Sequence, residues 1–124
     1  MVLWCLAKNA RSADIFTNAP YFVANVLAHD QWHVAELFAT KGADKFGRTS
    51  WDSSPQGIPL IAGCVSQFEC SRDSVHDGGD HLIVTGRIDS YQVQDLEPLA
   101  YHRGRYALTH MDDHAANMMT LQSW

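Results

Sequence analysis

Two alternating runs dominate the hydropathy pattern of this chain. In the first, Phe68 and Cys70 alternate with Gln67 and Glu69; in the second, Leu82, Val84 and Gly86 alternate with Ile83, Thr85 and Arg87. A period of two marks strands of a sheet whose faces differ in polarity. Between the runs lies HDGGD, residues 76–80, dense in turn formers. The pattern therefore predicts one long β-hairpin over residues 64–94. His81 opens its returning strand, where an imidazole can be a core group, a surface group or part of a site.

The other apolar runs are shorter. Residues 2–6, Val-Leu-Trp-Cys-Leu, are apolar at every position and predict a strand covered on both faces. A sequence that opens on an interior strand implies that leading strands are missing from it, or that a partner chain completes the sheet. Ser12 is placed to N-cap a short helix from Ala13, with Asp14 in its first turn and Pro20 enforcing its end. Residues 21–27 form a second apolar strand interrupted by Asn25. If buried, that carboxamide must find hydrogen bonds, at a ligand edge or on a neighbouring loop. Asp30 is expected to cap a helix over residues 31–40, with Val34, Leu37 and Phe38 as its apolar stripe and Gly42 at its stop. Residues 44–60 read as mostly loop, punctuated by Gly47, Pro55, Gly57 and Pro59 and carrying Phe46 and Trp51. Long loops in compact domains are commonly functional. About five or six strands and two short helices predict a mainly β fold, a barrel with helices packed outside.

Composition narrows the function classes. A chain of 124 residues, 46% hydrophobic and 19% charged, suits one globular domain. Its net charge of −5 argues against a binder of nucleic-acid phosphates. No apolar run approaches the ~20 residues that span a bilayer. No basic segment precedes Val2, so no secretory leader is expected. Cys5, Cys64 and Cys70 are odd in number and lack CxxC spacing. They predict buried reduced thiols and a cytoplasmic location.

Motifs for phosphate loops, zincins, nucleophile elbows and dinucleotide-binding folds are absent. His110 and His114, with Asp113 between them, would share one face of a helix as a divalent metal requires, against the simpler reading of a solvated tail. Cys70 would be a nucleophile only beside an imidazole that lowers its pKa. Lys8, Asn9, Ala10 and Ser12 follow a strand and precede a helix. An ammonium, a hydroxyl and backbone amides can meet a phosphate there, or simply form a capped helix with a surface lysine.

Taken in order, residues 22–27 (FVANVL), Gly42-Ala43-Asp44-Lys45-Phe46, Gly57-Ile58-Pro59-Leu60, Glu69-Cys70, Gly79-Asp80-His81 and residues 101–106 (YHRGRY) carry a family resemblance. The chain resembles the flavin reductase-like, FMN-binding split-barrel family, which includes reductase components of two-component flavin-dependent monooxygenases. The resemblance covers residues 2 to about 109 and implies a domain over residues 1–109, short of the family's opening strands, followed by a tail over residues 110–124. It implies a homodimeric split β-barrel with short flanking helices that binds FMN or FAD non-covalently. Its activity would be flavin reduction by NADH or NADPH, with reduced flavin passing to a partner oxygenase. Lys8, Asn9, Ala10 and Ser12 match the phosphate-contacting turn, although Asn9 and Ala10 stand where the family commonly has serines. Ala24 and Asn25 match the strand against the isoalloxazine. Lys45 and Phe46 match the loop closing over the flavin, and Tyr106 the aromatic of the closing motif. His81 matches the histidine associated with the nicotinamide and is the one residue assigned to catalysis; no metal is implied. The alternative is a non-catalytic split-barrel module for ligand binding or dimeric interaction, with flavin binding weak or lost.

Overall fold

The computed structural model describes residues 1–112. A four-stranded antiparallel sheet, curled into half a barrel, has the order β1-β6-β5-β2. Its strands are β1 (Val2–Ala7), β2 (Tyr21–Val26), β5 (Ser66–Asp77) and β6 (His81–Val93). The hairpin read from the alternation is the centre of this sheet. Its tip is tighter than HDGGD: His76 and Asp77 belong to β5 and pair with Ile83 and Leu82. Register shifts at Glu69/Cys70 and Arg72/Ser74 interrupt the simple alternation. Such bulges bend and twist a strand, which suits a sheet that must curl.

Helix α1 (Ala13–Asn18) carries the chain from β1 at one edge of the sheet to β2 at the other. Ser12 holds the N-cap position, but its side chain makes no capping bond. The helix ends before Pro20 as expected. The Phe16 ring meets Trp4 edge-on at 5.1 Å, and the Arg72 guanidinium donates to the Thr17 carbonyl. One core cluster lies on this side of the sheet, with Phe22, Cys70 and Val84 at its centre and Val2, Trp4, Phe68, Val75 and Ile88 around them. The Phe22 ring lies over Gly86 so closely that a Cβ there would stand 2.4 Å from the ring's Cζ. Glycine in the middle of β6 is thus a packing requirement.

Helix α2 (Trp32–Ala39) presents Val34 to Ile61 and Cys64 in a second cluster, flanked by Leu27 and Phe38. Gln31, not Asp30, takes its N-cap position. The buried Gln31 side chain folds back, accepting from the Ala28 amide at 2.9 Å and donating to the Ala62 carbonyl at 2.7 Å. It ties the exit of β2 to the start of α2 and to the chain ahead of β5.

Other expectations are corrected. Among the described residues β1 has one neighbour, β6, and is covered on one face, so Val2 and Trp4 point inward while Leu3 is 60% exposed. Residues 44–60 are mostly loop as expected, although β3 (Trp51–Ser53) within them pairs with β4 (Pro59–Ile61) as a short hairpin. Residues 99–108 form another, β7 (Leu99–His102) with β8 (Arg105–Leu108), turning through Arg103 and Gly104 at φ 53° and 79°. The described residues thus hold eight strands, the extra ones too short to show a period. Cys64 and Cys70 are buried as expected, but Cys5 is exposed on the outer face of β1. Among the described residues no helix is long and apolar enough to cross a membrane.

Gly86→Ala is expected to cost about 2 kcal/mol through overpacking against Phe22, read as a lower urea midpoint at unchanged slope. Burial raises the pKa of both the Cys64 and Cys70 thiols. An aromatic disulfide reagent should therefore titrate one thiol, Cys5, in the native protein, and all three after unfolding.

Candidate functional site

The residues singled out by the sequence fall into two groups. The first gathers at the tip of the central hairpin. Ala7 pairs with His81 across β1 and β6, which brings the turn after β1 beside the tip. There the Lys8 amide donates to the Asp80 carbonyl at 3.0 Å, and its ammonium lies 2.8 Å from Asp77 Oδ1. The same Asp77 oxygen accepts from the Gly79 amide at 2.9 Å, closing the turn. His81 Nδ1 lies 2.8 Å from Asp80 Oδ1, with its ring half exposed. Asn9 and Ala10 continue the turn, where the Ala10 amide donates back to Ala7 and the Ala13 amide to Ala10. The side chains of Asn9 and Ser12 have no partner among the described residues.

The carboxylates of this tip are exposed, and both titrate below their ordinary value. A hydrogen bond from Lys8 holds Asp77 down, and one from His81 does so for Asp80. Exposed ion pairs exchange readily with solvent or another charged ligand. The Lys8 ammonium is therefore available to an incoming anion.

Of the second group, Asn25 and Phe46 line an apolar groove of about 500 Å³ running along β2 between the two helices, while Ala24 and Lys45 are not among its lining residues. Ile15, Phe16, Leu27, Phe38 and Phe46 form much of its wall, and Asn25 is its one amide side chain. Phe46 is held by aromatic edges, 5.5 Å from Phe38 and 5.8 Å from Trp51, and its carbonyl accepts from Trp51 Nε1 at 3.1 Å. Lys45 is half-buried beside it. Ala24 sits in mid-β2, opposite Phe68.

The alternatives left open at Asn25 resolve toward a neighbouring strand. Its Oδ1 accepts from the Ile61 amide and from Gln67 Nε2, both at 3.0 Å, and its Nδ2 donates to the Pro59 carbonyl at 3.3 Å. Gln67 Nε2 also donates to the Ile61 carbonyl at 2.7 Å. These two amides fasten β4, and with it the β3–β4 hairpin, to the main sheet. Gln67 was not singled out by the sequence; its one signal is a carboxamide on β5 in register with Asn25.

Tyr106 joins neither group. It lies on β8, in edge contact with Tyr101 at 5.3 Å. Cys70 stands in the core, with its pKa raised rather than lowered, which removes the nucleophile reading. Of the tail's metal candidates, His110 is exposed, while Asp113 and His114 lie outside the described residues. The described residues contain no cluster of three or more metal-ligating side chains.

The arrangement offers an exposed ammonium, a free hydroxyl and a half-exposed imidazole at one end of the sheet, and a flat apolar groove along its edge. The first suits an anionic group and the second a planar ring, the two parts of a flavin nucleotide.

Comparison with known proteins bears on the same residues. The model of the flavin reductase-like domain matches residues 1–110. The chain is 37% identical over 107 residues to the reductase subunit HsaB of a flavin-dependent monooxygenase from Rhodococcus jostii, covering 86% of this chain and 55% of that protein. It is 33% identical to the FMN reductase (NADH) SmoA of Agrobacterium fabrum, covering 86% of this chain and 60% of that one. The solved NADH:FAD oxidoreductase SgcE6 of Streptomyces globisporus, in complex with NAD and FAD fragments, superposes with a TM-score of 0.85 at 31% identity, over 90% of this chain and 68% of its own. The chain spans about half the length of the curated relatives it matches.

The lowered Asp77 value has a consequence for stability. A carboxylate whose folded pKa is depressed stabilises the fold above its unfolded value, and that contribution is lost as the pH falls through the folded value. Lys8→Ala should therefore lower the urea midpoint at neutral pH and cease to matter once Asp77 is protonated. Carbon-detected titration of the Asp77 carboxyl should give a midpoint below 3.8 in the native protein and closer to it in Lys8→Ala.

Proposed function

This chain belongs to the flavin reductase-like domain family, and from that membership we propose that it binds FMN or FAD non-covalently and reduces it with NADH or NADPH. The observation that carries this reading is the match of the family model along residues 1–110, which takes in both groups of site residues. The bound flavin supplies the redox chemistry. The protein's part is to hold and orient it.

In this reading Lys8, Ser12 and the backbone at Asn9 and Ala10 receive the flavin phosphate. Lys8 exchanges Asp77 for it at little cost, because that pair is exposed. The groove wall at Phe46 takes the ring, with Ala24 and Lys45 beside it. Asn25, its amide already committed to β4, serves by fixing that wall. Tyr106 contributes from the β7–β8 hairpin. His81, steadied by Asp80, positions the nicotinamide. Reduced flavin would pass to a partner oxygenase, and the working form would be a cytoplasmic homodimer.

The alternative reading is a split-barrel module that binds flavin or a partner without turnover.

Purified protein should quench added FMN fluorescence and consume NADH in the presence of free flavin. His81→Ala should lower kcat/KM for NADH by roughly tenfold to a hundredfold through loss of positioning, while FMN quenching is retained. Quenching without NADH consumption would establish the second reading. A colourless protein that leaves FMN fluorescence untouched would rule out flavin binding altogether.

A further inference from the structure

We propose that Asp77 is a built-in competitor for the flavin phosphate, a carboxylate that holds Lys8 whenever no phosphate does and so sets how tightly a phosphorylated flavin is kept. The inference rests on the flavin-binding reading above and adds to it the residue that opposes binding.

The turn is built so that this ion pair can open while its surroundings stay in place. The Lys8 backbone is fixed by its own amide, which donates to the Asp80 carbonyl at 3.0 Å, and by Ala7, which stands opposite His81 in the β1–β6 ladder. The Asp77 carboxylate is fixed separately. β5 carries Asp77 opposite Leu82, and its Oδ1 accepts from the Gly79 amide at 2.9 Å as well as from the ammonium at 2.8 Å. Only the flexible lysine stem has to swing for the pair to break. Both side chains are wet, Lys8 at 41% and Asp77 at 75% exposure, so opening strands neither charge in an apolar setting.

Charge makes this carboxylate and a phosphate rivals for one ammonium. The hydrogen bond from Lys8 holds Asp77 below the ordinary carboxylate value, so it is an anion at neutral pH. Asp80 also feels the ammonium, but it is engaged by His81 at 2.8 Å, which leaves Asp77 as the carboxylate in contact. A site whose competent form is only fractionally populated binds more weakly by that fraction. With an exposed pair closed about two-thirds to nine-tenths of the time, phosphate binding weakens by about threefold to tenfold. A reductase that hands on its product must let reduced flavin go. Asp77 retakes Lys8 as the phosphate leaves, which favours release. Riboflavin has no phosphate and does not contend with Asp77.

Asp77→Asn removes the charge and keeps an oxygen for the Gly79 amide, so the turn survives. By fluorescence quenching, this variant should bind FMN about threefold to tenfold more tightly than the wild type, with riboflavin affinity unchanged. In a Lys8→Ala background the same substitution should alter FMN affinity by less than about twofold. An equal gain for riboflavin, an equal gain without Lys8, or no gain at all overturns the proposal. A second readout needs no flavin. At neutral pH the Asp77 carboxyl carbon resonance should move on titration with sodium sulfate, not with sodium chloride of equal ionic strength, and the response should vanish in Lys8→Ala. A carboxyl that responds alike to both salts also overturns the proposal. A sulfate-specific response in a protein that leaves FMN fluorescence untouched sinks the flavin reading and upholds the competition between Asp77 and an anion for Lys8.

Discussion

The side chains of Asn25 and Gln67 do what a strand backbone ordinarily does. β2 lies at the edge of the sheet, with only β5 in its ladder. On β4, the Ile61 amide and the Pro59 carbonyl find their partners in the Asn25 carboxamide, an isostere of the peptide group they would otherwise meet. Gln67 repeats the arrangement from β5 by donating to the Ile61 carbonyl. Removing either amide would strand polar groups of β4 in a half-buried seam, at a cost of about 1–3 kcal/mol for each one left unpaired. The groove depends on this seam, because Ile58, Pro59 and Ile61 complete the wall that Phe46 and Phe38 begin.

Around this seam, polar and apolar fastenings divide the work. Phe22 over Gly86 fixes the middle of the sheet, and Gln31 fixes α2 to both ends of the chain it must join. The hairpin tip is built differently. Its ion pairs are exposed, so they orient groups without locking them, as a site for a charged ligand needs. One molecule therefore carries a rigid apolar wall and a loosely tethered polar end.

Much of this was legible in the residues. Alternation gave the central hairpin because each arm has one buried and one wetter face, and Pro20 and Gly42 marked helix ends because their backbone demands are local. What could not be read depends on contacts far apart in sequence. The partners of Asn25 lie 34 to 42 residues away, so a ligand edge and a neighbouring loop were equally open. Cys5 looked buried because its neighbours are apolar, yet exposure is set by whether a second layer covers that face. Gln31 displaced Asp30 at the helix start because its longer side chain reaches the Ala62 carbonyl, a reach invisible in a capping pattern. The resemblance supplied what local patterns lacked at the site. It brought together residues 8–12 and His81, which the β1–β6 register then set side by side.

That register also has a consequence in time. Val2 pairs with Gly86, so 84 residues of chain separate the two sides of the contact. During synthesis at about 5–20 residues per second, β1 waits roughly 4–17 s for its partner strand. The β5–β6 ribbon, by contrast, closes on the microsecond scale once its turn has emerged. β1 thus waits longer for its ladder than β2, whose partners on β5 lie only 40 to 50 residues further on. Through that interval Val2 and Trp4, which the folded sheet turns inward, are bare, which makes this strand a natural handle for a chaperone.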